Sequence, residues 1–224
     1  MNTVTSHRDS LRRRWLPFVL FLTAATPGLR VARADDTVPD PWKGQDIGAP
    51  VMPGKAAADA NGVYTITAGG ADIWGDTDHF HYVYQPVNGD FTVVLRAVSI
   101  THADDWSKGG PMVRETLDAG SNFAALELTP SNGVSYQYRN ADNTQCNADA
   151  GTGATSAWLK LVRKGTVVDA YQAPDNNGAP GDWTQVGGDQ KIKNGSVYVG
   201  VATVAHSDAA TTTFVADNLR LTKN

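Results

Sequence analysis

The chain has 224 residues, with 19 Lys plus Arg against 23 Asp plus Glu and a formal charge of −4. That balance supplies no basic stripe for a nucleic-acid backbone. Its single cysteine, Cys146, excludes a disulfide within the chain, so packing must hold the fold.

Residues 1–34 read as a signal peptide. Arg12, Arg13 and Arg14 form a basic front, the same arginines loosely suit a twin-arginine signal, Trp15 to Ala25 is apolar, and Ala32-Arg33-Ala34 offers a cleavage site. The apolar stretch is short of the ~20 residues of a membrane span, so the expectation is a secreted or periplasmic protein with no membrane attachment after cleavage. Removing the leader's six Arg and one Asp leaves a formal charge of −9 on residues 35–224. That charge disfavours both nucleic acid and anionic membrane surfaces.

Residues 35–224 suit one all-β domain. A proline-rich entry runs from Asp35 to Pro53, with a short first strand at Asp46-Ile47-Gly48. Strands follow at Gly62–Thr67, Ile73-Trp74, His79–Tyr84, Phe91–Ile100, Met112–Thr116, Phe123–Thr129 and Val134–Arg139. Asn140–Ser156 is the longest polar break and reads as a surface loop, with Cys146 an incidental loop thiol. Further strands are expected at Ala157–Arg163, Val167–Gln172, Thr184–Val186, Val197–Val204 and Thr211–Leu221. Short strands separated by Gly, Asn, Asp and Pro read as an antiparallel sandwich or barrel.

Period-two alternation assigns faces. Phe80, Tyr82 and Tyr84 share one side, against His79, His81 and Val83. Met112 and Arg114 share a side. Gln137 and Arg139 oppose Tyr136 and Tyr138. Hydrophobicity on both sides of Phe91–Leu95 predicts a central strand covered on both faces.

Several words occur in a telling order: "GADIWGDTDHFHYVYQPVNGDFTVVLRAVSI" (70–100), "WSKGGPMVRETLDAGSNFAALELTP" (106–130), "GVSYQYR" (133–139), "WLKLVRKG" (158–165), "DWTQVGG" (182–188) and "YVGVATVAH" (198–206). Together they resemble secreted bacterial modules of the concanavalin A-like lectin/glucanase superfamily, similar to the sandwich domains appended to β-xylosidases. The resemblance spans nearly all of residues 35–224. It implies a jelly-roll β-sandwich whose concave face binds glycans in many members, and it implies no particular activity.

A glycosidase needs two carboxyl groups across a cleft. After the leader the only glutamates are Glu115 and Glu127, on different expected strands, and the alternating Glu/Asp strand of superfamily glucanases is absent. A nucleophile elbow is absent too. No catalytic residue is assigned. Sugar binding needs aromatic platforms beside planar polar groups. Trp74, Tyr82, Trp106, Arg114, Glu127, Gln137 and Arg139 are the candidate ligand-binding set, with Glu127 orienting a guanidinium. The competing account is a buried Arg–Glu network with core aromatics.

No cofactor is required by the sequence. Asp72, Asp76 and Asp78 crowd one loop, and oxygen ligands of that kind suit calcium. Asp217 in "FVADNLRL" is similar to the C-terminal Asp of many sandwich modules, where an ion ties the last strand to the first. That would pair Asp217 with Asp46 as a metal site, although Asp favours turns without any ion. His79 and His81 form a bland strand pair unless a third ligand joins them. Three readings stay open: a non-catalytic carbohydrate-binding or cell-surface module, a glycan-active hydrolase using the concave face, and a structural sandwich.

Overall fold

A computed structural model describes residues 36–150, 153 and 157–224, together with Met1. The expected signal peptide lies outside the described residues. In chain order the strands are β1 (Lys43–Ile47), β2 (Lys55–Ala58), β3 (Tyr64–Gly70), β4 (Phe80–Asn88), β5 (Phe91–Ile100), β6 (Lys108–Arg114), β7 (Phe123–Leu128) and β8 (Val134–Arg139). They continue as β9 (Cys146–Ala150), β10 (Ala157–Lys164), β11 (Val167–Asn176), β12 (Ala179–Pro180), β13 (Thr184–Lys191), β14 (Ser196–Val204) and β15 (Ser207–Lys223).

These strands form two antiparallel sheets. A seven-stranded sheet runs β1-β4-β14-β6-β7-β8-β9, and an eight-stranded sheet runs β12-β11-β10-β5-β15-β3-β2 with β13 paired to β11. The jelly-roll sandwich expected from the sequence is therefore the fold.

The core follows from alternation. Val83, Val113, Leu126, Tyr136 and Val201 of the seven-stranded sheet meet Ile66, Val93, Leu95, Leu159 and Phe214 of the eight-stranded sheet in one buried cluster. Each such side chain contributes roughly 1.5–3 kcal/mol on burial. A second cluster uses the opposite side of the seven-stranded sheet. Phe80, Tyr82, Tyr84, Met112, Phe123 and Ala125 pack there with Ile73 from the β3–β4 connection. That outer face is therefore covered by loops, which is unusual for an antiparallel sheet open to water.

Three expectations need correction. β5 is central, between β10 and β15, yet only Phe91, Val93, Leu95 and Ala97 are buried. Thr92, Val94 and Arg96 stay half-exposed, because that side of β5 borders an open groove shared with Gly178, Ala179 and Pro180. The polar break after Asn140 contains β9, an edge strand paired to β8 from Arg139↔Cys146 to Ser135↔Ala150. Cys146 is consequently buried in the second cluster and is no loop thiol. Burial pushes its pKa up to about 12, against the pull of Arg139.

Candidate functional site

The outer face of the seven-stranded sheet carries most of the polar residues singled out in the sequence. On β6 the alternation sends Lys108, Met112 and Arg114 outward. On β7 it sends Phe123, Ala125 and Glu127 the same way, and on β8 Ser135, Gln137 and Arg139. Registry puts them in rows: Arg114↔Phe123↔Arg139, Met112↔Ala125↔Gln137, and Glu127↔Ser135. On the β6 side of Glu127 lies Gly110. A Cβ there would sit 2.9 Å from Glu127 Cα and 2.0 Å from the Leu126 carbonyl oxygen, so only glycine allows this approach.

The connection from Ala71 to His79 folds back over this face. It closes on itself through the His79 N–H donating to the Asp72 carbonyl at 2.8 Å. Ile73 is its apolar anchor, fully buried in the second cluster. Asp78 is its ionic anchor. Arg139 Nη2 donates to Asp78 Oδ1 at 2.6 Å, while Arg139 Nη1 and Arg114 Nη1 both donate to Oδ2 at 2.8 Å. All three side chains are fully buried.

The remaining guanidinium protons find backbone carbonyls. Arg114 reaches Asp118 O at 2.6 Å and Thr116 O at 3.2 Å. Arg139 reaches Thr144 O and Ser121 O, each at 2.9 Å. The guanidiniums also lie over Phe80 and Phe123 at 5.2 Å and 5.1 Å from the ring centroids. Satisfied charges of this kind are sealed components of the fold. Arg114 and Arg139 therefore do not open onto a groove, and Asp78, rather than Glu127, orients them.

What the loop leaves open is a pocket of about 280 Å³ lined by Asp72, Trp74, Trp106, Lys108, Gln137 and His206, with Ala148 of β9 at its edge. Trp74 and Trp106 are each 40% exposed, while Lys108 and Gln137 are each 2% exposed. Lys108 Nζ donates to Asp72 Oδ1 at 2.5 Å and to the Ile73 carbonyl at 3.3 Å, and lies 5.7 Å from the Trp74 ring centroid. Asp72 also holds His206, with Nε2 at 3.3 Å from Oδ2.

Trp106 is positioned by its neighbours. Its backbone N–H donates to Asp104 Oδ1 at 2.8 Å, and the same oxygen lies 2.7 Å from His206 Nδ1. Those contacts hold the Asp104 carboxyl below its ordinary pKa, the Trp106 N–H foremost and His206 next, with desolvation opposing. The β7–β8 turn braces the same loop, Asn132 Nδ2 donating to Asp105 O at 2.8 Å.

Two polar groups at the pocket's base are incompletely satisfied. Gln137 Nε2 donates to Ser135 Oγ at 3.3 Å, but Gln137 Oε1 has no partner among the described residues. Glu127 is fully buried on the strand between those of Lys108 and Gln137, and neither of its carboxyl oxygens has a partner among the described residues. Burial raises its pKa to about 8; Lys108 pulls it down, while Asp72 and Asp78 push it up.

The structure thus brings Trp74, Trp106 and Gln137 together, with Glu127 beneath them. Tyr82 is excluded. It is fully buried, and its hydroxyl donates to the Met112 and Tyr198 carbonyls at 3.0 and 3.1 Å. The expected Asp46–Asp217 pairing is not formed. Asp46 lies in the seven-stranded sheet, 2.7 Å from His81 Nδ1 and accepting from Gly54 N at 3.0 Å. Asp217 lies in the eight-stranded sheet, ion-paired to Arg96. Among the described residues no three His, Cys, Asp or Glu side chains are grouped to hold a metal. His81 is buried between Asp46 and Asp36, whose Oδ1 is 3.3 Å from Nε2.

Lys108 and His206 were not anticipated as pocket residues. Extending the Met112–Arg114 alternation backward would have put Lys108 on the outer face. His206 carries no such signal, because it sits in the β14–β15 turn with φ +56°.

No protein-family model matches the chain, and no curated protein matches it in sequence. Solved structures do. A functionally unknown protein from Saccharomyces cerevisiae aligns at 17% identity over 81% of this chain and 96% of its own, with a TM-score of 0.62. Lectin I-B4 from Griffonia simplicifolia, in its metal-free form, aligns at 12% identity over 84% and 94%, with a TM-score of 0.51. A carbohydrate-binding module from Bacillus subtilis aligns at 18% identity over 80% and 94%, with a TM-score of 0.47. At these identities the likeness concerns the fold. Two antiparallel sheets in this arrangement, shared with a lectin, give the chain the concanavalin A-like lectin/glucanase fold.

Proposed function

We propose that the protein is a non-catalytic carbohydrate-binding module whose ligand seats between Trp74 and Trp106. The observation that carries this reading is the pair of 40%-exposed indoles at a pocket with a polar base, beside the loop that covers Arg114 and Arg139. A large aromatic left open beside convergent polar groups suits a sugar ring, which offers an apolar face rimmed by hydroxyls. The lectin of like fold adds an analogy and no more.

Burial favours binding over hydrolysis. A glycosidase needs two carboxyl groups flanking the bond to be cut. Asp72 lines the pocket, but Glu127 is sealed beneath it. Glu115 is engaged elsewhere, accepting from Lys193 N at 2.6 Å and Asn122 Nδ2 at 3.1 Å. The leader reading extends the proposal to a secreted or periplasmic protein; N-terminal sequencing of the processed protein should begin at Asp35.

The test is retention on an insoluble polysaccharide panel (cellulose, xylan, mannan, β-1,3-glucan, chitin) by the wild type and by Trp74→Ala and Trp106→Ala. Retention lost in both variants supports the reading. Absence of retention on every glycan, or retention indifferent to both changes, overturns it.

A further inference from the structure

The pocket's basic side chains already have carboxylate partners. Lys108 and His206 are its basic lining residues, and both are held by Asp72, Lys108 Nζ at 2.5 Å and His206 Nε2 at 3.3 Å. His206 is also held by Asp104, at 2.7 Å through Nδ1. The next carboxylate, Asp105, pairs with His102 at 2.8 Å on the exposed loop beside Trp106. A ligand carboxylate entering here would meet no uncommitted positive charge. It would lose hydration without gaining a partner, beside carboxylates of its own sign.

The base of the pocket asks for the opposite chemistry. Gln137 Oε1 is a buried acceptor with no donor among the described residues, and the same holds for both oxygens of Glu127 on the neighbouring strand. An unpaired buried acceptor costs free energy that a ligand hydroxyl would recover by donating to it. A hydroxyl carries no charge and can donate and accept at once.

We infer that the pocket selects a neutral, hydroxyl-bearing sugar over its carboxylated counterpart, with a sugar hydroxyl donating to Gln137 Oε1 and Glu127 setting the charge of the base. This selectivity rests on the sugar-binding reading above. The charged and titratable groups facing Glu127 are Lys108 from β6, Asp72 and Asp78 from the covering loop, and Cys146 from β9. With its pKa raised to about 8 by burial, Glu127 is mostly protonated at pH 6 and gains its negative charge as the pH passes about 8. Below about pH 8 Glu127 is mostly uncharged; above it, a carboxylate stands at the base and repels anions.

Isothermal titration at pH 6 and low salt tests the selectivity with matched probes: cellohexaose against its C6-carboxylated hexamer, and mannohexaose against the β-1,4-mannuronate hexamer. The neutral member of a pair that binds should bind at least tenfold tighter. Asp72→Asn, which frees Lys108 from its carboxylate, should narrow that ratio several-fold. Raising the pH from 6 to 9.5 should widen the neutral-to-carboxylated ratio in the wild type and leave it unchanged in Glu127→Gln.

Trp74-dependent binding that is equal or tighter for the carboxylated member would sink the selectivity while leaving the sugar reading intact. Identical pH profiles for wild type and Glu127→Gln would remove Glu127 from it. No Trp74-dependent binding by either member of either pair, joined to the same result across the polysaccharide panel, would overturn the sugar reading and the selectivity with it.

Discussion

Arg139 grips Asp78 with both terminal nitrogens, Nη2 to Oδ1 at 2.6 Å and Nη1 to Oδ2 at 2.8 Å, across 61 positions of sequence. Both side chains are fully buried. Removing either partner leaves a charge stranded in the interior. Arg139→Ala should cost roughly 3–5 kcal/mol in denaturant unfolding. Asp78→Ala should cost at least as much, because it strands Arg114 as well. A loss below about 1 kcal/mol for either would place the pair in the class of exposed ion pairs and refute its anchoring role.

Glu127 predicts a slope of stability with pH. Its folded pKa, about 8, stands above its ordinary value of 4.5 because burial penalises the carboxylate. The unfolded chain releases its proton first. The stabilising contribution is therefore complete below about pH 4.5 and lost as the pH climbs to 8. Glu127→Gln cannot ionise, so it should flatten this window and exceed the wild type at pH 7 by on the order of 3 kcal/mol. Unfolding free energies measured at half-unit pH intervals would show it; parallel curves for the two proteins would refute it.

His81 adds a second slope in a later window. Burial opposes its charge, but hydrogen bonds to Asp36 and Asp46 outweigh that, and its pKa is raised above 6.5. Protonated His81 ties the described start of the chain and β1 to β4. Its contribution is complete below about pH 6.5 and lost as the pH passes the raised folded value. In a Glu127→Gln background this should be the residual decline above neutrality, and His81→Ala should abolish it. Melting temperatures from pH 5 to 9 separate the two groups.

Trp74 and Trp106 are 40% exposed, so truncation removes little core. Trp74→Ala and Trp106→Ala should each weaken binding of a retained sugar about tenfold or more. Their stability should stay within about 0.5–1 kcal/mol of the wild type. Intrinsic fluorescence titration reads both losses; a melt lowered as far as that of Arg139→Ala would mean that the indoles are structural.

Cys146 should be inert while folded. Its thiol is buried, with a pKa pushed up to about 12 by that burial, so little thiolate forms at neutral pH. A disulfide reagent at pH 8 should titrate it only after unfolding. Fast reaction with the native protein would contradict the pairing of β9 with β8.

Much of the site was legible one residue at a time. Alternation grouped Phe80, Tyr82 and Tyr84, then Met112 and Arg114, then Gln137 and Arg139, each by side within its own strand; pairing of the strands brought those sides together on the outer face. What alternation could not reveal was accessibility. Arg139 and Gln137 share a strand and a side, yet Arg139 is locked to Asp78 whereas Gln137 lines the pocket. The difference lies in where the 71–79 connection crosses them. β9 was hidden for a related reason: its sequence, Cys-Asn-Ala-Asp-Ala, has weak strand propensity and is ordered by the edge of β8.

The sequence by itself determined the antiparallel sandwich, most strand positions and the side each residue takes, because a period of two is a local property of extended chain. Only the tertiary structure decided that the outer face is roofed, that Asp78 rather than Glu127 faces the two arginines, and that Trp74, Trp106, Lys108 and His206 converge on one opening. Those outcomes depend on contacts between residues far apart in the chain. Closing them costs loop entropy that long-range burial and ion pairing must offset, and no local pattern records that balance.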